Sequence, residues 1–410
     1  MQGTKNKSVI ESIFGKEVKL LPSVTELFEL ELAYLEYHSL KEDGFLDRTA
    51  FFKSVNGQFS KHYLLYSNNL EILKQGRSAL TQSYFENGIY STGYATHGLF
   101  PYRGKFHPQL IKGLLNIIGL EKGETILDPM CGSGTANIEA SLMGINSFAV
   151  DVSPFCQLMT RVKFEALTID QNLFEKYKLD SETLFEFFLK PESLLKIEKL
   201  EEEKAKVYRL ALLAFLDALG YSKRVKMSTH QQLFEKVLNR YVQTVKSFIS
   251  NSQFNKKDLG NIEILSNAEA LDIKLKNNSV DCVITSPPYS FAIDYVENDK
   301  AQLEYLGYNI DKLRSKMIGL KGKRKDEKLN NYFSDMNIFC SEVARVLRKN
   351  KFFVMIIGSN TNQTGGIRLE ETIINSASDK SLKLVKSIRK PIKGMRNTMK
   401  DEYILFFQKD

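Results

Sequence analysis

Cysteine and histidine are both scarce in this chain of 410 residues. The four cysteines are scattered and form no Cys-x-x-Cys pair: Cys131, Cys156, Cys282 and Cys340. Their spacing argues against a disulfide scaffold or a cysteine-based zinc site, and it fits a reducing cytoplasm. The five histidines show no metal-ligand spacing such as His-Glu-x-x-His, so we expect no metal ion.

Long apolar stretches are absent as well. No run of about 18 apolar residues occurs, so we expect no transmembrane helix and no membrane partner. The opening residues, MQGTKNKSVIES, lack the apolar core of a secretory signal, so we expect a cytoplasmic protein. With 43% hydrophobic and 26% charged residues, the composition is that of a globular protein and excludes general disorder. The length suggests two or three domains, or one domain with large insertions.

Positive charge is concentrated in two segments, although the formal net charge of the chain is only +8. Residues 312–351 contain 12 Lys or Arg against 4 Asp or Glu, and residues 380–400 contain 8 Lys or Arg and no acid. Two such segments on an otherwise acidic chain favour a protein that binds a polyanion. Charge alone leaves open a second interpretation, in which both segments are solvated loops.

Hydrophobic spacing divides the chain into three parts. Residues 1–97 form an extension that we expect to be mostly helical, with one helix over 25–40. Apolar strands then alternate with helices in 98–154 and 261–410, which predicts a mostly parallel, doubly wound α/β sheet. Residues 155–260 interrupt this pattern and are predicted to be a helical insertion.

The predicted strands are short and apolar, and the last two form a closing pair. They lie within 124–144, 146–154, 261–267, 279–289, 351–360, 383–392 and 401–408.

The first chemical motif is the glycine-rich stretch 128–135 (DPMCGSGT), between a predicted strand and a predicted helix. Gly132 and Gly134 allow a sharp turn and a close approach of backbone to a ligand, and the helix N-terminus offers free N–H groups. The stretch is not a Walker A loop, because no Gly-Lys-Ser/Thr follows. Asp151 ends the next strand, where an acid can accept hydrogen bonds from ribose hydroxyls. The pattern favours a nucleoside-type cofactor over a purely structural turn.

The second motif is 285–289 (TSPPY), at the end of an apolar strand. Two successive prolines cannot continue a central strand, because they lack N–H donors, but they form a rigid turn with outward-facing carbonyls. Ser286 adds a hydroxyl and Tyr289 adds a flat aromatic face. Such a turn is suited to a planar ring that carries an amino group, although a plain turn after a strand is the simpler alternative.

Together, the two motifs resemble those of the DNA amino-methyltransferases, which use S-adenosylmethionine to methylate N4 of cytosine or N6 of adenine. The segment 100–108 (FPYRGKFHP) resembles the part of that family that closes over the methionine end of the cofactor. The resemblance covers roughly 98–154 and 261–408, and it implies a Rossmann-like methyltransferase fold.

The resemblance also implies roles for individual residues. Those implied to bind S-adenosylmethionine are Phe106, His107, Asp128, Pro129, Cys131, Gly132, Gly134, Thr135, Asp151 and Asn267. Those implied to act in catalysis are Ser286, Pro287, Pro288 and Tyr289. Asn267 stands where family members often carry an acid that meets the adenine, and since Glu269 and Asp272 follow it, that assignment stays open.

The implied activity is transfer of a methyl group to the exocyclic amino group of a base flipped out of double-stranded DNA. Serine before the two prolines favours N4 of cytosine, whereas aspartate is typical of N6-adenine enzymes. Two other functions stay open: an RNA methyltransferase of the tRNA guanine-N2 type, and a non-catalytic nucleic-acid-binding subunit. A cognate restriction endonuclease is a candidate partner.

Target recognition falls by elimination to the 155–260 insertion, the N-terminal residues 1–95 or the basic segment 312–351, and we expect the insertion to act together with the basic segments. The residues expected to contact DNA phosphates are Lys321, Lys323, Arg324, Arg389, Lys390, Lys393 and Arg396. Cys156 lies in a PFCQ sequence that only superficially resembles the PCQ of cytosine-C5 enzymes. We expect it to be a buried structural thiol.

Overall fold

The computed structural model describes residues 9–15, 17–68, 93–102, 104–177, 180–223, 228–250, 255–288, 294–358, 364, 366–392 and 401–410. Within these ranges helices make up about half of the N-terminal extension, and one of them covers most of 25–40, where a helix was predicted. Its elements are α1 (Val9–Phe14), β1 (Val18–Leu20), α2 (Leu27–Ser39), α3 (Phe45–Arg48), β2 (Phe52–Val55), β3 (Gln58–Phe59) and α4 (Lys61–Asn68). The three strands form a small antiparallel sheet that the sequence did not predict. They are too short to show the alternation that identifies a strand.

A seven-stranded sheet forms the centre of the molecule. Its strands are β4 (Thr125–Asp128), β5 (Asn146–Ala149), β6 (Ile262–Ile264), β7 (Val280–Thr285), β8 (Leu347–Gly358), β9 (Leu382–Pro391) and β10 (Asp401–Lys409). They are arranged in the order β6-β5-β4-β7-β8-β10-β9, with β4 to β8 parallel and β10 antiparallel to both neighbours. This is the mostly parallel, Rossmann-like sheet that the sequence predicts, with the last two strands paired.

Side chains of the central strands alternate between two hydrophobic layers. Leu127, Val283 and Phe353 pack in one cluster, whereas their neighbours Ile126 and Ile284 pack in another. Such alternation requires helices on both faces of the sheet, because successive side chains of a strand point in opposite directions.

The helices that follow α4 cover both faces and form the insertion. They are α5 (Pro108–Ile117), α6 (Thr135–Leu142), α7 (Pro154–Ala166), α8 (Asn172–Lys176), α9 (Ser181–Phe188), α10 (Ser193–Glu198), α11 (Glu202–Ser222), α12 (His230–Ile249), α13 (Tyr295–Asn298), α14 (Lys300–Tyr305), α15 (Ile310–Arg314), α16 (Lys325–Val346) and α17 (Leu369–Ser378). None of the helices in the described ranges is long and apolar enough to span a membrane.

The inserted helices share a hydrophobic cluster with the rest of the chain. Phe215 and Tyr241 of the insertion belong to the same cluster as Phe100 and Leu303. The first inserted helix, α7, packs against α6 and β6 as well as against α11. The insertion therefore lies directly beside the segment that precedes α5.

Both predicted basic segments reach the carboxyl edge of the parallel strands. Glu402 pairs with Gly358 at the end of β8, and Lys390 pairs with Glu402, so β9 ends where the parallel strands end. Helix α16 runs back to the start of β8, which places its N-terminus, after residue 324, at the same edge.

Candidate active site

A cavity that is open to solvent, with about 970 Å³ of empty space, lies at the carboxyl ends of β4 and β7. The chain order reverses between these two neighbouring strands, since β5 and β6 lie on one side of β4 and β7 lies on the other. Ligands of open α/β sheets bind in the crevice at such a reversal. Gly132 and Ser286 both line this cavity, so the two sequence motifs face one space.

The glycine loop turns tightly before α6. Gly132 and Gly134 have φ angles of +51° and +74°, in the left-handed region that favours glycine. A Cβ atom on Gly134 would lie 2.6 Å from Thr160 Oγ1, so the loop and α7 pack too closely for any side chain there. Three further loop residues that were expected to bind the cofactor line the cavity: Pro129, Cys131 and Thr135.

Asp128 lies behind the loop and does not line the cavity. Its Oδ1 atom accepts hydrogen bonds from Thr285 Oγ1 at 2.8 Å and from the Met130 amide at 3.3 Å. Within the described residues Oδ2 has no partner, and burial raises the pKa of this carboxyl group to about 7. The contact joins the end of β4 to the end of β7, a role that the sequence did not indicate.

Asp151 lines the cavity at the end of β5. Its two oxygens accept hydrogen bonds from the Gly132 amide at 2.9 Å and from the Ser153 amide at 2.8 Å. Burial raises its pKa to about 6 despite these bonds. The carboxylate is thus held rigidly beside the glycine loop, where hydroxyl groups of a ligand can reach it.

The segment before α5 forms another wall of the cavity. Tyr102, Lys105 and Phe106 line it, whereas His107 does not. His107 is the N-cap of α5, and burial lowers its pKa to about 4. The Tyr102 ring stacks on Tyr295, with centroids 6.3 Å apart. The sequence assigned no role to either tyrosine, although Tyr102 lies inside the FPYRGKFHP segment.

The prediction for the adenine was Asn267, with Glu269 and Asp272 left open. Asn267 is exposed and does not line the cavity, whereas Glu269, Ala270 and Leu271 do. Glu269 forms an ion pair with Lys316 from the opposite wall. Because only Ala268 separates Asn267 from Glu269, the sequence pattern after β6 could not distinguish them.

The catalytic motif continues directly from β7. Ser286 and Pro288 line the cavity and Pro287 is buried, while Tyr289 lies outside the described residues. Cys156 also lines the cavity, but it is only 2% exposed and burial raises its thiol pKa. A protonated thiol is a poor nucleophile.

The predicted DNA-binding residues are only partly available. Lys321 pairs with Asp335, Arg324 with Asp326, Arg389 with Asp401 and Lys390 with Glu402. Lys323 is exposed, and Lys393 and Arg396 lie outside the described residues. The number of basic residues in a segment does not reveal these ion pairs. The basic residues of β9, for example, pair with acidic residues of the neighbouring strand β10.

The residues present fit a nucleoside cofactor with an anionic tail. Glycines at positive φ expose the start of α6, and Asp151 presents oxygens to the same cavity. Residues 99–346, more than half of the chain, match the model of the RMKL-like methyltransferase domain (UPF0020). The chain belongs to this methyltransferase family. It is an enzyme that uses S-adenosylmethionine.

Several curated proteins are similar to this methyltransferase. The Type II methyltransferase M.BsoBI of Geobacillus stearothermophilus is 24% identical over 58% of this chain and 59% of its own length. The Type II methyltransferase M.AvaI of Nostoc is 24% identical over 63% of each chain. A tRNA (guanine(10)-N2)-dimethyltransferase of Methanothermobacter thermautotrophicus is 42% identical over 13% of this chain and 16% of its own. The methyltransferase thus spans about six-tenths of the two Type II relatives.

Solved structures show only weak likeness to this methyltransferase. TrmN from Thermus thermophilus has a TM-score of 0.34 and 12% identity, covering 75% of this chain and 50% of its own. A SAM-dependent methyltransferase from Methanosarcina mazei has a TM-score of 0.33 and 9% identity, covering 71% and 94%.

Proposed function

We propose that this methyltransferase modifies double-stranded DNA at N4 of cytosine within a specific sequence, as part of a restriction-modification system. The observation that carries the proposal is that Gly132 of the cofactor loop and Ser286 of the Ser-Pro-Pro-Tyr motif line one cavity. The names of the Type II relatives support the choice of DNA. We further propose that the enzyme acts in the cytoplasm and that a cognate restriction endonuclease is its partner.

S-adenosylmethionine supplies a methyl group already activated on a sulfonium, so the protein has to orient the acceptor. The lone pair of a base amino group is delocalised into the ring. Ser286 Oγ and the Pro287 carbonyl would accept hydrogen bonds from this amino group and favour a tetrahedral nitrogen. Fixing two reactants in line can lower a barrier by up to about 7–11 kcal/mol.

The base has to leave the duplex before it can reach the cavity. Flipping costs a few kcal/mol, and stacking on Tyr289 would return about 1–3 kcal/mol. Phosphate contacts would supply much of the remaining affinity. Lys323 and Arg389 are suited to this role because both are exposed at the carboxyl edge, beside the cavity. The ion pair of Arg389 with Asp401 lies at the surface, and such a pair is weak enough to be exchanged for a phosphate contact.

Two alternatives keep the same site. N6 of adenine has the same amino chemistry, and only Ser286 in place of aspartate favours cytosine. Methylation of guanine N2 in RNA is supported by the short 42% match to the tRNA enzyme.

Sequencing of genomic DNA from a methylation-free host that expresses the protein tests all three. We expect N4-methylcytosine within one short sequence, and none with Ser286→Ala. Detection of N6-methyladenine instead would show that adenine, and not cytosine, is the target base. Unmodified DNA, with tritium transferred to tRNA from labelled cofactor, would overturn the proposal.

A further inference from the structure

The segment that faces the cofactor cavity is held from the side by the inserted helices. The Phe100 amide donates a hydrogen bond to the hydroxyl oxygen of Tyr241, on α12, at 2.7 Å. The Tyr241 hydroxyl donates in turn to Asp217 Oδ2, on α11, at 2.9 Å. A chain of two hydrogen bonds therefore connects the backbone of the segment to a carboxylate of the insertion.

These groups are buried, and the directions of their hydrogen bonds are well defined. Tyr241 is 0% exposed and Asp217 is 2% exposed. Arg240 also donates to Asp217 Oδ2, at 3.1 Å, which helps to orient the carboxyl group. Because Asp217 accepts the hydroxyl proton, the oxygen lone pairs of Tyr241 face the Phe100 amide.

The hydrogen bond from Phe100 holds a strained turn. Phe100 has a φ angle of +62°, in the left-handed region that residues with a Cβ atom rarely adopt. Its ring packs edge-on against Phe155, with centroids 5.0 Å apart. A glycine could adopt this φ angle without strain, whereas phenylalanine cannot. The hydrogen bond to Tyr241 and the ring contact with Phe155 offset that strain.

The strained turn determines where Tyr102 lies. The Tyr102 amide donates to the Phe100 carbonyl at 3.0 Å, so the two residues move together. The Tyr102 ring lies against the cofactor loop, 3.2 Å from where a Cβ atom of Gly132 would be. The start of the segment is fixed separately, by hydrogen bonds from Tyr94 and His97 to Glu139 of α6, at 2.5 Å and 2.7 Å.

We infer that Tyr241 and Asp217 are positioning residues for cofactor binding, which hold the turn at Phe100 so that Tyr102 closes the cavity over the glycine loop. The inserted helices thereby complete the cofactor site, in addition to any role in target recognition. The inference rests on the cofactor of the proposed function but not on its nucleic-acid target.

Calorimetric binding of S-adenosylmethionine, without nucleic acid, tests the inference on Tyr241→Phe and Asp217→Asn. The matched control is Tyr305→Phe. Its hydroxyl donates to the Phe188 carbonyl at 2.7 Å within the same hydrophobic cluster, but Tyr305 does not line the cofactor cavity. All three substitutions keep the size of the side chain.

We expect the Kd for S-adenosylmethionine to rise about tenfold in Tyr241→Phe and Asp217→Asn, and less than twofold in Tyr305→Phe. The melting temperature should fall less in Tyr305→Phe than in Tyr241→Phe, since Tyr305 is only partly buried whereas Tyr241 is fully buried. Equal Kd values in all three variants and the unchanged protein would overturn the inference.

Hydrogen–deuterium exchange supplies a readout that does not depend on the variants folding. In the unchanged protein, S-adenosylmethionine should slow exchange of the amides over 99–102. Exchange there that is unaffected by the cofactor would contradict a closing role for the turn. Both measurements can be made even if the enzyme does not methylate DNA. Failure of the proposed target can therefore be distinguished from failure of this inference.

Discussion

At the scale of the residue, Ser286 is the side chain that we expect to act on the target amino group. Ser286→Ala should lower kcat by about 100-fold or more, because it removes a hydrogen bond that orients the nitrogen in the transition state. The Kd for S-adenosylmethionine should stay within about threefold of the unchanged value. Methyl transfer to the DNA substrate and calorimetry measure the two effects.

Ser133→Ala is the control, since Ser133 lines the same cavity from the cofactor loop. It should affect cofactor binding and leave kcat at saturating cofactor nearly unchanged. Near-normal turnover by Ser286→Ala would refute the catalytic assignment.

Asp128 should make stability depend on pH. Burial raises its folded-state pKa to about 7, well above the unfolded value near 3.8. The protonated form is therefore favoured in the folded state, and its stabilising contribution is complete below pH 3.8 and lost as the pH rises through 7. From pH 5 to pH 8 this loss is about 2–3 kcal/mol.

Asp128→Asn should remove this loss while keeping an acceptor for Thr285. Denaturant unfolding at pH 5 and pH 8 compares the two proteins, and taking their difference cancels the contributions of Asp151 and of the histidines. Identical pH dependence of the two free energies of unfolding would contradict the assigned pKa.

At the scale of the element, the tight junction between the glycine loop, α6 and α7 should be sensitive to one methyl group. Gly134→Ala introduces a Cβ atom at a φ angle of +74°, and this atom would clash with Thr160. Backbone strain and overpacking therefore both destabilise the variant. We expect a loss of about 3 kcal/mol in the free energy of unfolding. Urea denaturation measures it.

Gly307→Ala separates the two causes. Gly307 has a φ of +79° with no atom within 4 Å of an added Cβ, so only the backbone strain of about 1–2 kcal/mol remains. Thr160→Ala in the Gly134→Ala background should recover part of the larger loss. Equal losses of unfolding free energy in Gly134→Ala and Gly307→Ala would show that α7 is not packed tightly against the glycine loop.

Element prediction succeeded where a local pattern carries the information. The helix predicted over 25–40 is observed as α2, and the strand predicted over 351–360 is observed as β8, four residues longer at its start. The sequence boundary at 155 was less informative. Helix α7 begins at Pro154, next to that boundary, yet it packs against α6 and β6 like a helix of the central sheet. Helical periodicity alone does not report a packing partner.

At the scale of the whole molecule, the fold divides each basic segment between the two edges of the sheet. Lys323 and Arg389 lie at the carboxyl edge, beside the cavity. Lys349 and Lys383 come from the same two segments but lie near the start of β8 and of β9, at the opposite edge. If a flipped base occupies the cavity, as we propose, we expect phosphate contacts from the first pair and none from the second.

Binding of duplex DNA at several salt concentrations tests this division. Lys323→Gln with Arg389→Gln should reduce the slope of log K against log salt by about 2, since each phosphate contact contributes about 0.9. Lys349→Gln with Lys383→Gln should leave the slope unchanged. Equal reductions by the two double variants would indicate binding that ignores the position of the cavity.

The sequence alone determined the two motifs, the α/β alternation and the helical character of the insertion. These features depend on residues within a few positions of one another, such as glycines that permit a left-handed turn or prolines that end a strand. Only the tertiary structure decided that Gly132 and Ser286 share a cavity, that Asp128 joins two strands, and that Tyr241 supports Phe100. Each of these contacts joins parts of the chain that are distant in sequence, and burial and strand order exist only after the sheet has assembled.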